Sequence, residues 1–269
     1  MQAERSFSEV FLAHVEALDH GTRREVAFHH VIDSTSTDLK RRLRSGAGPG
    51  TVVAADTQET GRGRLGRTWH SSTGGNLYIS LAVRVNEPFQ TNLPFLPLAG
   101  GVAAADAIRV VARVEPKLKW PNDVHVSGKK IAGVLCEVPD PIRRPGIAIV
   151  GLGVNIAVSS FPEELNTTAT SLALLSGGNR RDLPHPAHLA ADWVTRLEQW
   201  MRRIHSKEGA ELVETWRAGA EPFGRRIRVD NIEGTTVDIN ESGQLIAKKD
   251  DGNKVIISSG VIEFEDECI

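Results

Sequence analysis

The spacing of apolar residues changes at Pro222, and the change divides the chain in two. Beyond it, Arg226–Val229, Thr235–Ile239, Gln244–Ala247, Lys254–Ile257 and Val261–Phe264 are short β-type runs. Turn residues such as Glu241-Ser242-Gly243 and Asp250-Asp251-Gly252-Asn253 separate them. Short runs between turn clusters read as strands, and five of them within residues 222–269 predict a small all-β barrel. Ahead of Pro222 the periodicity alternates between helix and strand. Phe7–Leu18 sets Val10, Phe11, Val15 and Leu18 on one helical face, with Gly21 as a stop. Val26–Ile32, Thr51–Ala55, Leu77–Val85, Leu118–Trp120, Lys130–Val138 and Ile147–Ile156 read as strands. Thr37–Leu43, Leu96–Val111, His188–His205 and Gly209–Ala218 read as helices. The fold class is therefore α+β over residues 1–221, followed by an all-β domain over 222–269. A chain of 269 residues is long enough to give the first of these a sizeable core.

Composition narrows the function classes. Apolar residues at 40% and charged residues at 25% are ordinary for a globular protein. A net charge of −2 argues against a general nucleic-acid-binding surface. Cys136 and Cys268 match no metal spacing or disulfide framework, and Cys136 sits in an apolar run that predicts core packing. The N-terminus has no signal pattern, and no apolar run is read as long enough to cross a membrane. These features predict a cytoplasmic protein without a membrane partner.

Gly61-Arg62-Gly63-Arg64-Leu65-Gly66-Arg67 is the most informative stretch, inside a loop from Gln58 to Ser71. Glycines let a backbone approach a ligand closely, and alternating arginines offer forked donors for phosphate or carboxylate. The loop joins two strands, so it is not a Rossmann turn, and it lacks the Lys-Ser/Thr of a P-loop. Alone, it fits a solvated surface, a nucleic-acid contact or a plain hairpin tip equally well. Lys119-Trp120-Pro121-Asn122-Asp123 is a second cluster. Its proline ends a strand or marks a bulge, Trp120 reads as core, and Asn122 and Asp123 suit a turn cap. Lys129-Lys130 then opens the apolar run Ile131-Ala132-Gly133-Val134-Leu135.

Taken together, these stretches resemble the biotin–protein ligase family. Gln58-x-x-Gly61-Arg62-Gly63-Arg64-x-Gly66-Arg67-x-Trp69 closely resembles the family's signature, and Lys-Trp-Pro-Asn-Asp followed by Lys-Ile-Ala-Gly-Val-Leu resembles its central motif. Gly151-Leu-Gly153-Val-Asn155 and Asp33-Ser34-Thr35 are further matches, and Gly243-Gln-Leu245 fits the family's C-terminal barrel. The resemblance runs from Val26 to Phe264. It implies a class II aminoacyl-tRNA-synthetase-like mixed sheet with an SH3-like barrel. Two departures stand out. Ser36 replaces the family's usual Asn, which leaves the helix cap but removes one side-chain contact. Only twenty-five residues precede Val26, too few for the winged helix-turn-helix of members that double as repressors, so the resemblance is to the monofunctional class.

The implied reaction joins biotin to ATP as biotinyl-5'-adenylate, then passes biotin to a lysine of a biotin carboxyl carrier domain. By resemblance, Ser34, Thr35 and Gln58 hold the ureido head of biotin, with Gly61 and Gly133 in the same pocket. Arg62 and Lys130 lie near the biotin carboxylate and the α-phosphate. Arg64 and Arg67 face phosphates, and Lys119, Trp69, Asn122 and Asn155 serve ATP. Asp123 is the candidate for orienting or deprotonating the acceptor amine. Mg²⁺ is expected with the ATP phosphates, no dedicated metal site is expected, and the protein is a monomer or homodimer that does not bind DNA. The loop, with its self-repelling arginines, is expected to take one shape only around an anionic ligand. A lipoate–protein ligase or octanoyl transferase is the rival within the same fold, but its Arg-Arg-x-Ser-Gly-Gly-Gly loop is missing. A nucleic-acid-binding protein is the rival of another class, against which the charge and the few aromatics argue.

Overall fold

The computed structural model describes residues 6–18, 25–71, 74–86, 92–140, 145–179, 183–205, 209–260 and 262–264. Its elements in chain order are α1 (Phe7–Leu18), β1 (Val26–Ile32), α2 (Thr35–Arg44), β2 (Val52–Gln58), β3 (Leu77–Arg84), α3 (Phe95–Ala107), β4 (Lys117–Lys119), β5 (Asp123–Val126), β6 (Lys129–Glu137) and β7 (Ile147–Val154). A short α4 (Leu172–Leu175), then α5 (Pro186–His205) and α6 (Gly209–Gly219), complete the larger part. The smaller part is β8 (Arg226–Val229), β9 (Ile232–Ile239), β10 (Leu245–Lys248), β11 (Lys254–Ile257) and β12 (Glu263–Phe264). The stop expected at Gly21, Val261 at the start of the last expected strand, and Cys268 lie outside the described residues.

Two sheets result. The first has seven strands in the order β1-β2-β3-β7-β6-β5-β4. Only β1 and β2 run parallel; every other neighbour is antiparallel. The second is a five-stranded antiparallel sheet in the order β11-β10-β9-β8-β12. The mixed sheet and the C-terminal all-β unit are those expected. Pro121 ends β4, and the chain returns at once as β5, which forms a short hairpin with β6.

The two faces of the large sheet are covered unequally, and this makes room for a site. On one face, α1, α3, α5 and α6 join the sheet in the main core, which holds Phe11, Leu96, Val134, Val150, Leu152, Trp193 and Trp216. Alternate strand residues point to opposite faces, so Val134, Val150 and Leu152 meet these helices. Gly100 lets α3 press onto the sheet, because a Cβ there would fall 2.8 Å from Val134 Cγ1, and Trp193 Nε1 donates to Gly100 O at 3.1 Å. The stretch Phe95–Ala112 is long and apolar enough to cross a membrane by length and composition, contrary to the expectation from sequence. It is 67% buried inside the fold, where its small residues serve helix–sheet packing. Cys136 also packs against this core, and burial pushes its thiol up to about 12.

On the other face α2 is the helix that covers the sheet among the described residues. Leu39 and Leu43 pack on Val53, Ala82, Ile147 and Ile149 in a small second core. That cover stops short of the β6–β7 end, which the loop after β2 overhangs instead. The two sheets meet where Trp120 Nε1 donates to Gly243 O at 2.8 Å, and Arg217 on α6 donates to Asp238 Oδ1 and Ile239 O.

Candidate active site

The uncovered part of the sheet face is floored by glycine. Register places Tyr78, Gly153 and Gly133 in one row across β3, β7 and β6, and Ser80, Gly151 and Leu135 in the next. With no side chains on three of these six positions, the sheet leaves a hollow of about 660 Å³, a volume typical of small-ligand pockets. The loop roofs it. Trp69 lies flat on the glycines: a Cβ at Gly153 would fall 2.8 Å from Trp69 Cε2, and one at Gly133 would fall 2.8 Å from Trp69 Cζ3.

The loop itself is a closed hairpin. Arg62 and Thr68 form an antiparallel bridge. Gly63 N donates to Arg67 O, Arg67 N to Arg64 O, and Trp69 N to Gly61 O. Arg64–Gly66 make a tight turn with Leu65 at φ 53. These backbone bonds close a hairpin. Gly61 is not among the residues that line the hollow. A Cβ there would meet Trp69 O at 2.8 Å and Gln58 Nε2 at 3.3 Å, so glycine lets the hairpin stem close.

The other expected residues all line the hollow. At one end, by β3 and β7, stand neutral polar groups. Ser34 precedes α2 in extended conformation and its hydroxyl makes no capping bond. Thr35 N and Oγ1 both donate to Gln58 Oε1, at 2.9 and 3.2 Å. Thr35 and Ser36 hydroxyls each meet Ser80 Oγ, at 2.9 and 3.0 Å. Ser36 thus has a structural partner in place of the missing contact: its hydroxyl lies 3.2 Å from where a Gly151 Cβ would stand, so the two fit each other.

Toward the middle the lining becomes cationic. Arg62, Arg64, Arg67, Lys119 and Lys130 line the hollow with the single carboxylate Asp123, although the whole chain is slightly acidic. Lys130 Nζ sits 2.7 Å from Asp123 Oδ1 and 5.2 Å from the centre of the Trp69 ring. Asp123, the candidate for orienting or deprotonating the acceptor amine, is thus paired with Lys130. Arg62 Nη1 reaches Glu137 Oε1 at 3.2 Å, and Lys40 Nζ meets the same oxygen at 2.7 Å. Arg64 differs. It is half-buried, its Nη1 donates to the neutral Asn122 Oδ1 at 3.1 Å, and it has no carboxylate partner among the described residues. Burial lowers its pKa, partly offset by the charge of Asp123; a guanidinium so placed keeps its charge and calls for an anion.

Asn122 holds the edge of β6 by donating Nδ2 to Val134 O at 2.6 Å. Asn155 is buried and donates Nδ2 to Thr170 O at 3.1 Å, tying β7 to the segment before α4. Lys119 lies 4.4 Å from the Phe264 ring centre, at the end of the hollow nearest the second sheet. Sequence reasoning did not single out Glu137, Ser80, His125 or Phe161. Glu137 and His125 continue the alternation of strands whose inward faces are marked by Gly133 and Asp123; Ser80 and Phe161 carry no such signal.

A hollow with neutral polar groups at one end and clustered cations at its centre suits an enzyme that brings two anions together. Comparison with known proteins agrees. Residues 28–155 match the biotin/lipoate A/B protein ligase family, and residues 223–265 match the biotin protein ligase C-terminal domain. The biotin–[acetyl-CoA-carboxylase] ligase of Mycobacterium tuberculosis is 34% identical over 236 residues, covering 84% of each chain. The bifunctional ligase/repressor BirA of Bacillus subtilis is 31% identical over 244 residues, 88% of this chain and 74% of that one. The biotin protein ligase of Aquifex aeolicus, solved with biotin and ATP, superimposes with a TM-score of 0.76 at 28% identity, covering 90% and 98% of the two chains. The Leishmania major enzyme, solved with biotinyl-5-AMP, gives 0.56 at 28%, over 87% and 99%. The chain belongs to the biotin protein ligase family.

Proposed function

We propose that the chain activates biotin with ATP and transfers it to a lysine of a biotin carboxyl carrier domain. The observation that carries this reading is the five cations gathered beside a neutral, hydroxyl-and-amide end in one hollow. Ser34, Thr35 and Gln58 would take the uncharged head of biotin, with Gly133 allowing close approach. Its carboxylate and the α-phosphate of ATP would meet at Lys130, Arg62 and Arg64, whose charges offset the repulsion of two anions and the charge that grows in the transition state. Arg67 and Lys119 would hold the polyphosphate, and Trp69, Asn122 and Asn155 the nucleoside. Lys130 is held on the spot by Asp123 and orients without searching for a rotamer. Asp123 serves that positioning, and amine deprotonation is left to solvent or to the leaving phosphate.

Among the described residues no group of three or more His, Cys, Asp or Glu is placed to hold a metal ion. Mg²⁺ would enter with the substrate as MgATP, bound by phosphate oxygens. We further propose a division at residues 221/222, action in the cytoplasm as a monomer or homodimer, and no DNA binding. Sedimentation and a gel shift at physiological salt test the last two. The central test is biotin-dependent exchange of labelled pyrophosphate into ATP. Its absence with biotin, or its appearance with lipoate instead, refutes the reading.

A further inference from the structure

His125 is a second ionisable group carried by β5 into the hollow, and none of the roles above uses it. It lines the hollow and is 3% exposed. Register sets it directly across from Lys130 on β6. Such opposed residues have Cβ atoms about 5 Å apart, so His125 shares the wall that carries Lys130 and Asp123. Its Nδ1 lies 2.9 Å from Glu221 Oε1. Glu221 also meets Arg225 Nη1 at 3.0 Å. Burial acts to raise the Glu221 pKa, but the hydrogen bond from His125 and the charges of His125, Lys119 and Arg225 prevail and hold it below its ordinary value. A carboxylate thus stands against Nδ1, and Nε2 has no protein partner among the described residues.

Position across the sheet gives the ring its task. The hollow runs from β7 through β6 and β5 to β4, with Ser34, Thr35 and Gln58 at the first end and Lys119, His125, Gly260 and Ile262 at the other. With biotin's head at the neutral end and the α-phosphate at Lys130, the polyphosphate runs toward Lys119 and His125. We propose that His125 Nε2 is the proton donor to the pyrophosphate leaving group of adenylation, and that Glu221 is its positioning residue; this rests on the proposed ligase reading. In the step, a biotin carboxylate oxygen bonds to Pα and the bond from Pα to the bridging oxygen breaks. The electron pair stays on that oxygen, which takes the proton from Nε2. His125 is left neutral, with Nδ1–H still on Glu221, and regains a proton from water after pyrophosphate leaves. Among the described residues, the charges facing His125 are Lys117 and Lys119 of β4, Lys130 of β6, Asp123 of β5, and Glu221 and Arg225. Among these, cations outnumber carboxylates, which favours a polyphosphate there over the incoming ammonium of an acceptor lysine.

The test separates the two half-reactions. Wild-type protein is first shown to catalyse both biotin-dependent pyrophosphate exchange and transfer from synthetic biotinyl-5'-adenylate to a carrier domain; failure there strikes the ligase reading and not this one. His125→Gln keeps a hydrogen-bond donor but gives up no proton. It should lower exchange by about 10²-fold, mainly in kcat, a usual effect of losing a general acid, and leave transfer unchanged. Glu221→Gln keeps an acceptor against Nδ1, so exchange should fall in kcat with the KM for ATP unchanged, and by less than in Glu221→Ala. Unchanged exchange in His125→Gln, an equal fall in both half-reactions, a fall in transfer alone, or a rise in KM without loss of kcat in the Glu221 variants each overturns the assignment.

Discussion

Adding a single methyl group to the glycine floor tests whether Trp69 is held by it. At Gly153 the new Cβ would lie 2.8 Å from Trp69 Cε2, 2.9 Å from Cζ2 and 3.1 Å from Nε1. Carbon contacts are best at about 3.5–4.0 Å, so the indole must retreat by roughly 0.7–1 Å. Trp69 moves only with its hairpin, because Trp69 N is bonded to Gly61 O and Gly61 leaves no slack against Trp69 O. The φ of Gly153 is not in the left-handed region, so alanine suits the backbone. If the indole stayed, overpacking would cost about 1–3 kcal/mol; if it lifts, the fold keeps its stability and the roof opens. Misplacement on this scale costs about 10²-fold in rate. The expected outcome for Gly153→Ala is a Tm close to wild type and a fall of that order in pyrophosphate exchange. The decisive control is the double mutant. In a Trp69→Ala background the methyl has nothing to strike, so Gly153→Ala should add nothing there. If it lowers exchange equally in both backgrounds, the indole–glycine contact is not what shapes the site.

Three further outcomes follow from the same geometry. Lys130→Ala removes the cation held by Asp123 at the centre of the hollow and should lower exchange by about 10²-fold or more with the fold intact by circular dichroism; near-normal exchange refutes its role. Arg64→Gly deletes the guanidinium that has only Asn122 for a partner, so adenylate should still form on Arg62 and Lys130 but escape faster, read as labelling of a bystander such as albumin. The Asp38 carboxyl is held below its ordinary 3.8: burial acts to raise it, and hydrogen bonds and charge from Arg42 and Arg41, with His29, prevail. Its contribution to stability is thus present above that value and lost as pH falls through the lower folded one, and Asp38→Asn should flatten the acid side of the Tm profile while lowering Tm at pH 7.

Much of this was legible in the sequence because the motifs and the periodicities point to the same places. Gly133 and Gly153 were marked by their motifs, and alternation puts them on one sheet face with Leu135 and Gly151. What the sequence did not carry is who neutralises whom. Lys130 and Asp123 are close in sequence, yet their spacing does not show that the β5–β6 hairpin turns them into an ion pair. Glu137 binds Arg62 and Lys40 from 75 and 97 positions away, a meeting that only the sheet and α2 bring about. Glu221 closes on His125 from beyond α6 for the same reason. Local pattern specifies elements, while charge pairing across them depends on the assembled fold.

That pairing explains how a slightly acidic protein keeps so many cations in one place. Arg62 and Lys130 are each met by a carboxylate, which lowers the cost of gathering them without ligand. Arg64 lacks such a partner and bears burial instead, so its unmet charge is the one a bound phosphate relieves most. Arg67 stays at the exposed end of the hairpin, where water screens it. The order of need therefore runs inward along the loop. An anion entering between Lys130 and Trp69 meets the least satisfied guanidinium at the point where the glycine floor brings the roof closest. The same glycines that empty the floor thus set the distance at which Arg64 acts. Affinity for the adenylate and the fit of Trp69 are then one property of the fold, and weakening either should weaken the other.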